Sequence, residues 1–322
     1  MAKKISPLLV DLAALPPGFH RRRFARDGVG FEAFIWRGGP GPVLLINGAT
    51  HGDEYEGPTL LQKWVQRWKP RTLRGTVVLV PVLNEVAFFA GARCRPDDGA
   101  NLARSFPGNR RGTPTSRLAR LFNDELLAQA THYADFHSAG VANRLQPWVG
   151  YVVGIDQAME RTQHAMAACF DRFWCWSGPF LPGRTLSAAA ERRIPAIYTE
   201  CRGEGDVEPA DLAALDLGLR RMLITLGLVP GAKPKLRPQV TRITRNTKET
   251  HLQVHHQAEF DGLFIPQIKL GARVRRGAPL GQLVSLTGHP SIIRAEHAGR
   301  IVVLRVQRSV RKGDALAVLS PV

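Results

Sequence analysis

The chain contains few cysteines and no long apolar run, and each shortage excludes a class of protein. Its four cysteines form no C-x-x-C pair; they are Cys94, Cys169, Cys175 and Cys201. This spacing argues against a disulfide framework and predicts reduced thiols, as in a cytoplasmic protein. No apolar run approaches the roughly 20 residues that a membrane helix needs. Pro7 and Asp11 interrupt the basic start of the chain, so neither a signal peptide nor a membrane partner is expected.

Acidic residues are also scarce, with 27 Asp and Glu against 44 Lys and Arg, which gives a net charge of +17. Only nine of the 44 basic residues are Lys, and 35 are Arg. The excess fits a compositional bias, the steering of anionic substrates, or nucleic-acid binding. The densest basic groups, at 20–23, 108–112 and 273–277, are short and scattered, and no zinc finger or RNA-binding signature accompanies them. A nucleic-acid partner is therefore not expected.

Apolar runs alternate with helix-like spacing over the first two thirds of the 322-residue chain. The predicted strands are 43–48, 75–84, 133–140, 151–155 and 194–201. The predicted helices are 59–68, 115–130, 156–173 and 210–228. Such alternation is typical of an α/β sheet with parallel strands and flanking helices. It predicts one α/β domain over residues 1–235.

The pattern changes at VPGAKPKLRPQ (229–239), whose three prolines indicate a linker. Short glycine-punctuated strands follow, which predicts a small all-β domain over residues 236–322. The segments LGARVRRGAPLG and SVRKGDALAVL look alike and resemble the two halves of a lipoyl/biotinyl-type barrel-sandwich domain. A carrier domain presents a modifiable Lys at its hairpin tip, but the corresponding turn here has His297, so no carrier function is expected.

The segment NGATHGDEYEGP (47–58) collects a histidine and three carboxylates where a buried strand ends. Open α/β sheets place ligand crevices at the carboxyl ends of their strands. His51 and Glu54, three residues apart, could chelate one metal ion, and His137 in ADFHSAG could supply a distant third ligand. An H-x-x-E spacing is a weak signal by itself, and solvated loop residues are the alternative.

Two further groups could carry chemistry. Glu200, in IPAIYTECRGEG, ends another apolar strand, where a carboxylate beside a metal ion could take a proton from water. The basic loop 91–108 contains Arg93, Arg95 and Arg104, which could fix a substrate carboxylate or stabilise an oxyanion. A loop carboxylate and solvated surface arginines are the alternatives for these residues.

Four motifs occur in one order: NGATHGDEYEGP, NLARSFPG, DFHSAG and TECRGEGDVEP. Together they resemble the succinylglutamate desuccinylase/aspartoacylase family, which belongs with the zinc carboxypeptidases in fold and mechanism. The resemblance implies one Zn²⁺ per chain, Glu200 as general base and acid, and Arg93 at the oxyanion. It assigns the zinc ligands as His51, Glu54 and His137.

The resemblance also implies that Arg104 binds the substrate carboxylate. The family usually has Asn two residues after Asn101, and this chain has Ala103 there. That departure affects carboxylate recognition more than catalysis, and Asn101 is the candidate to substitute for the missing Asn. We therefore expect a zinc-dependent hydrolase of an N-acyl amino acid or a related small anionic amide. The alternatives are a carboxypeptidase acting on short peptides and a non-catalytic binding protein on the same fold; a homo-oligomer is possible for each.

Overall fold

The computed structural model describes residues 9–234 and 255–320. Strands and helices alternate over most of residues 9–234. The strands there are β1 (Gly18–Arg26), β2 (Val29–Arg37), β3 (Gly39–Gly48), β4 (Arg74–Val80), β5 (His132–Ser138), β6 (Asn143–Leu145), β7 (Trp148–Val152), β8 (Trp174–Gly178) and β9 (Ala196–Cys201). The α-helices are α1 (Glu56–Arg67), α2 (Glu85–Phe89), α3 (Pro114–Glu125), α4 (Gln157–Ala168), α5 (Thr185–Glu191) and α6 (Pro209–Thr225).

An eight-stranded mixed sheet organises this part of the protein, in the order β1-β2-β4-β3-β5-β9-β7-β8. The neighbours β4, β3, β5 and β9 are parallel, whereas β7 runs antiparallel to β9. The carboxyl ends of the four parallel strands therefore meet at one edge. The candidate ligands His51, Glu54 and His137, together with Glu200, lie on or just beyond that edge.

Helices cover both faces of the sheet because each face is apolar. One core cluster joins α3 and α5 to the sheet through residues such as Phe31, Phe122 and Leu186. The other joins α1, α4 and α6 through Leu60, Met166 and other fully buried side chains. The near-continuous apolar strands β3 and β4 are what a sheet buried on both faces requires.

The β1–β2 hairpin was not predicted, although its turn carries a strong local signal. Asp27 and Gly28 join the strands, and both have positive φ, at 55° and 76°. An Asp-Gly pair suits the two-residue turn that matches the twist of a hairpin. The run HRRR within β1 hides the strand, because its arginines point largely to solvent and break the apolar pattern.

The second part of the chain is made of short antiparallel strands around a core of its own. They are β10 (His255–Gln257), β11 (Gly262–Pro266), β12 (Arg273–Val274), β13 (Pro279–Ser285), β14 (Pro290–Arg294), β15 (Gly299–Arg305), β16 (Ser309–Val310) and β17 (Ala315–Ser320). One sheet has the order β10-β17-β15-β12 and the other β14-β13-β11-β16. Strand β6 pairs with β15, so a strand from the first part extends a sheet of the second.

The predicted mixed α/β fold is confirmed, and the C-terminal strands agree with an all-β part. The boundary predicted at residues 235 and 236 lies outside the described residues, and the barrel-sandwich resemblance stays a prediction. No helix within 9–234 or 255–320 is long and apolar enough to span a bilayer. The cytoplasmic location stays a prediction as well.

Candidate active site

The site lies at the sheet edge where β3, β5 and β9 end. His51 and Glu54 follow β3 directly, and His137 is the penultimate residue of β5. The parallel register of β5 and β9 pairs His137 with Glu200. Residues paired in this way point to the same face of a sheet, so His137 and Glu200 are neighbours across one strand spacing.

Three side chains converge in the metal cluster, which consists of His51, Glu54 and His137. One donor atom from each lies within 4.8 Å of the other two. The Nδ1 atoms of His51 and His137 lie 2.7 and 2.8 Å from the two carboxylate oxygens of Glu54. All three residues are more than nine-tenths buried. The structure thus brings the predicted ligands together.

The hydrogen bonds around His51 fix which nitrogen carries its proton. The amide N–H of Ala103 donates to Asn101 Oδ1, which identifies that atom as an acceptor. His51 Nε2 lies 3.0 Å from the same oxygen, so Nε2 must be the donor. Burial lowers the pKa of His51, and a neutral ring protonated at Nε2 turns a bare Nδ1 towards Glu54. Two acceptors that face each other at 2.7 Å favour a cation between them.

His137 lies between two carboxylates. Its Nε2 is 2.9 Å from Asp135 Oδ2 and its Nδ1 is 2.8 Å from Glu54 Oε2. Burial alone would lower the pKa of His137, but Asp135 and Glu54 hold it well above its usual value. The position between Nδ1 and Glu54 therefore attracts positive charge. Two imidazoles and one carboxylate, with outer partners on both rings, form a donor set that suits a divalent metal ion.

Glu200 lies beside this cluster. Burial raises the pKa of Glu200 to about 8, and the negative charge of Glu54 adds to this, while His137 and Arg93 oppose it. A carboxylate with such a pKa can hold and release a proton near neutral pH. This is the property that a general base and acid needs.

The three arginines of the loop 91–108 have different surroundings. Arg93 Nη1 lies 3.2 Å from Glu54 Oε1, so its guanidinium faces the metal cluster. Arg104 lines a cavity that Arg93 lines as well. Arg95 is buried and holds Asp97 with two hydrogen bonds of 2.9 and 2.6 Å, which makes it a structural residue rather than a candidate for substrate binding.

This cavity has a volume of about 480 Å³. Its polar end contains His51, His137, Arg93 and Glu200, and its other end is largely apolar. Asn101 is not among the lining residues, and its side-chain oxygen accepts from both His51 and Ala103. The substrate contact of Asn101 stays a prediction, while in this geometry the residue holds His51 Nε2.

The model of the succinylglutamate desuccinylase/aspartoacylase catalytic domain matches residues 40–226. The chain belongs to this family. It is therefore an amide hydrolase, as the names of its relatives indicate.

Two relatives show how far the likeness to the family extends. The N-alpha-acetyl-L-2,4-diaminobutyric acid deacetylase of Halomonas elongata is 32% identical over 289 residues, which cover 88% of this chain and 83% of that protein. The product-bound structure of the ectoine utilization protein EutE (DoeB) from Ruegeria pomeroyi is 30% identical. It superposes with a TM-score of 0.84 and covers 98% of both chains.

A third relative carries the name of the family itself. The succinylglutamate desuccinylase/aspartoacylase structure from Rhodobacter sphaeroides has a TM-score of 0.80 and 25% identity, over 94% of both chains. The likeness to these structures spans the α/β part and the C-terminal strands together.

For this family member, the structure adds two residues that the sequence did not single out. Asp135 accepts from His137 and also from Thr185, Thr50 and Asn47, which fixes its carboxylate rigidly. Its position two residues before His137, on the same face of β5, was an available signal.

Arg184 is the second added residue, and it lines the cavity with Arg104. Gly183 O accepts from Phe106 N at 2.9 Å, so the segment before α5 is held against the loop that contains Arg104. Burial, together with repulsion by Arg184, lowers the pKa of Arg104 to about 10. Within residues 9–234 and 255–320 neither guanidinium of this arginine pair has a carboxylate at ion-pair distance. No local sequence pattern marks Arg184.

Proposed function

We propose that the protein is a zinc-dependent deacylase that hydrolyses an N-acyl amino acid. The observation that carries the proposal is that the two histidines of the metal cluster, Glu200 and the arginine pair all line one cavity. The relative from Halomonas elongata, named as a deacetylase of an N-acetylated amino acid, supports the same reaction class.

His51, Glu54 and His137 would hold the zinc ion. Bound there, zinc would polarise the amide carbonyl and make a nearby water more acidic. Asn101 and Asp135 hold the outer nitrogens of the two histidines and so keep both Nδ1 atoms directed at Glu54.

Glu200 would move the proton. In its ionised form it would accept a proton from the attacking water, and it would then deliver that proton to the departing amine nitrogen. Burial raises its pKa above that of an ordinary carboxyl group, which favours uptake of the proton from water before its transfer to the amine. Cross-strand pairing with His137 places its carboxylate beside the metal cluster.

Arginines would bind the two negatively charged groups of the reaction, the oxygen of the tetrahedral intermediate and the substrate carboxylate. Arg93, already directed at Glu54, would stabilise the oxygen of the tetrahedral intermediate. Arg104 and Arg184 would bind the substrate carboxylate, since two neighbouring guanidiniums without a counter-ion create a strong anion site. Arg184 would thereby supply a contact to the substrate carboxylate that Ala103 cannot provide.

The first experiment combines metal analysis with turnover. We expect one zinc ion per chain, lost in His51→Ala but retained in Glu200→Gln, and a kcat for Glu200→Gln that falls by roughly 10²- to 10⁴-fold. Near-normal turnover of Glu200→Gln would refute its role as the proton carrier. Products separate the alternatives, because a deacylase releases an acyl acid from an N-acyl amino acid and a carboxypeptidase releases the C-terminal residue of a peptide.

A further inference from the structure

The face of the sheet that carries Glu200 continues into a group of aromatic side chains. Antiparallel pairing of β7 with β9 places Trp148 directly opposite Glu200. The next pair on the same face is Gly150 opposite Tyr198, and Trp176 of β8 pairs with Gly150 from the other side. Glu200, the proposed proton carrier, therefore has Trp148 as its neighbour across the strands, and Tyr198 and Trp176 follow on the same face.

Gly150 is essential to this arrangement. A Cβ at this position would lie 2.2 Å from the ring of Tyr198, so the phenol lies across the glycine between two strands. The rings of Trp148 and Trp176 are 5.7 Å apart and tilted by 36°. With Tyr198 they form a continuous aromatic floor on the cavity side of the sheet.

The C-terminal part supplies the opposite wall. Strand β15 is held against the α/β part by its pairing with β6. This places Val303 in contact with the cluster that contains Trp148 and Trp176, and Val303 lines the cavity with them. We name Trp148, Trp176, Tyr198 and Val303 the aromatic subsite.

The aromatic subsite lies on the side of the cavity where the substrate carboxylate would bind. Tyr198 lies close enough to Arg104 and Arg184 to affect the pKa of each guanidinium. A substrate whose carboxylate rests on the arginine pair and whose amide faces the metal cluster would direct its amino-acid side chain towards these rings.

Size and charge indicate what that side chain is. A cavity of about 480 Å³ lies in the range of roughly 300–1,000 Å³ found for small-molecule pockets, so it has room for a large amino-acid side chain. Its lining includes three arginines, Arg93, Arg104 and Arg184, against the carboxylates of Asp53 and Glu200. Arg93 is paired with Glu54, so the positive charge beside Tyr198 comes from Arg104 and Arg184, and it disfavours a cationic side chain there.

We infer that the aromatic subsite binds a large apolar or aromatic side chain, so that the preferred substrates are N-acyl derivatives of amino acids such as phenylalanine. The inference rests on the proposed deacylase function. It distinguishes this chain from the Halomonas elongata relative, whose name specifies an amino acid with a second amino group.

The test measures selectivity in the zinc-loaded full chain. The substrates are N-acetyl-L-phenylalanine, N-acetylglycine and N-alpha-acetyl-L-2,4-diaminobutyrate. We expect kcat/KM for the phenylalanine derivative to exceed both others by about tenfold to a hundredfold, the range for filling an apolar pocket. A preference for the diaminobutyrate derivative, or equal rates for all three, would overturn the inference.

Val303→Phe fills the subsite from the second part of the chain. We expect it to reduce the ratio of kcat/KM for the phenylalanine substrate over the glycine substrate at least tenfold, whereas the matched control Ile265→Phe leaves the ratio unchanged. Ile265 lies on β11, is 48% exposed and does not line the cavity. Should Val303→Phe fail to fold, Trp176→Leu provides the same comparison; an unchanged ratio in a folded variant would contradict the inference.

Calorimetry with the products L-phenylalanine and glycine separates this inference from the proposed function. Tighter binding of L-phenylalanine that Val303→Phe weakens would support the subsite even if no substrate turned over. Hydrolysis of N-acetylglycine together with equal binding of the two products would support the hydrolase and refute the subsite.

Discussion

The two ends of the cavity are built by different means. At the polar end, side chains of the metal cluster project from strand ends of one sheet and are held by hydrogen bonds such as His137 to Asp135 and His51 to Asn101. At the apolar end, rings from β7, β8 and β9 pack against Val303 from the C-terminal part. Backbone register therefore places the chemistry, whereas packing between two parts of the chain shapes the specificity. The second can change without disturbing the first.

The largest effect should follow from changing one ligand in the polar end. Glu54→Gln keeps the shape but loses the charge that faces both Nδ1 atoms, so we expect metal binding and activity to be lost. Glu56→Gln is the matched control, because Glu56 is as buried but accepts from Gly203 N and does not belong to the metal cluster. Elemental analysis of both purified variants checks this. Equal metal content in the two would exclude Glu54 as a ligand.

The arginine pair connects the two ends of the cavity, and its loss should affect substrate binding alone. Arg184→Gln removes charged hydrogen bonds worth about 1.5–3 kcal/mol, which corresponds to a roughly ten- to hundredfold higher KM at normal metal content. The exposed Arg172→Gln serves as the control. A fall in kcat with unchanged KM would show that Arg184 acts on the chemical step instead.

The difference between the two ends of the cavity also explains what could be predicted from the sequence. Local patterns predicted the α/β alternation, the ends of β3, β5 and β9, and the family motifs. His51, Glu54 and His137 were identified together because the motifs imply a shared ion, and the structure brings them within 4.8 Å. The β1–β2 hairpin was missed because the arginines of β1 outweighed the turn signal at Asp27.

The apolar end of the cavity could not be predicted from the sequence, because it depends on the register between distant strands. The predicted strand at 151–155 begins three residues later than β7, so Trp148 fell outside it and its pairing with Glu200 could not be foreseen. Arg184 precedes a short helix with no motif, and only its packing against the Arg104 loop reveals a role. Asn101 was assigned to the substrate because sequence does not show that its oxygen contacts His51 and Ala103 N, and that assignment stays a prediction.

Substitution of Asn101 can test whether the residue orients His51 or contacts the substrate. If it orients His51, Asn101→Ala should weaken zinc affinity by about 10- to 100-fold, as loss of an outer-shell partner typically does. Asn101→Asp, which keeps an acceptor for His51 Nε2, should restore most of that affinity. Competition with a chelator gives the measurement. A raised KM with unchanged zinc affinity in Asn101→Ala would instead favour the predicted substrate contact.

The smallest effect concerns the stability of the metal-free protein. Burial raises the pKa of Glu200 from an ordinary 4.5 to about 8, so the folded state holds the proton more tightly than the unfolded chain. The resulting stabilisation is fully present below about pH 4.5 and is lost as the pH rises through 8. In chelator, the Tm of the wild type should therefore fall relative to that of Glu200→Gln between pH 5.5 and 8.5. Each 1 kcal/mol of lost stability would lower Tm by about 2–4 °C.

Zinc should reduce the difference in Tm between the two proteins, because a neighbouring cation favours the ionised carboxylate. Parallel Tm profiles for the two proteins in chelator would mean that Glu200 ionises normally, and the proton transfer proposed for it would then need another explanation.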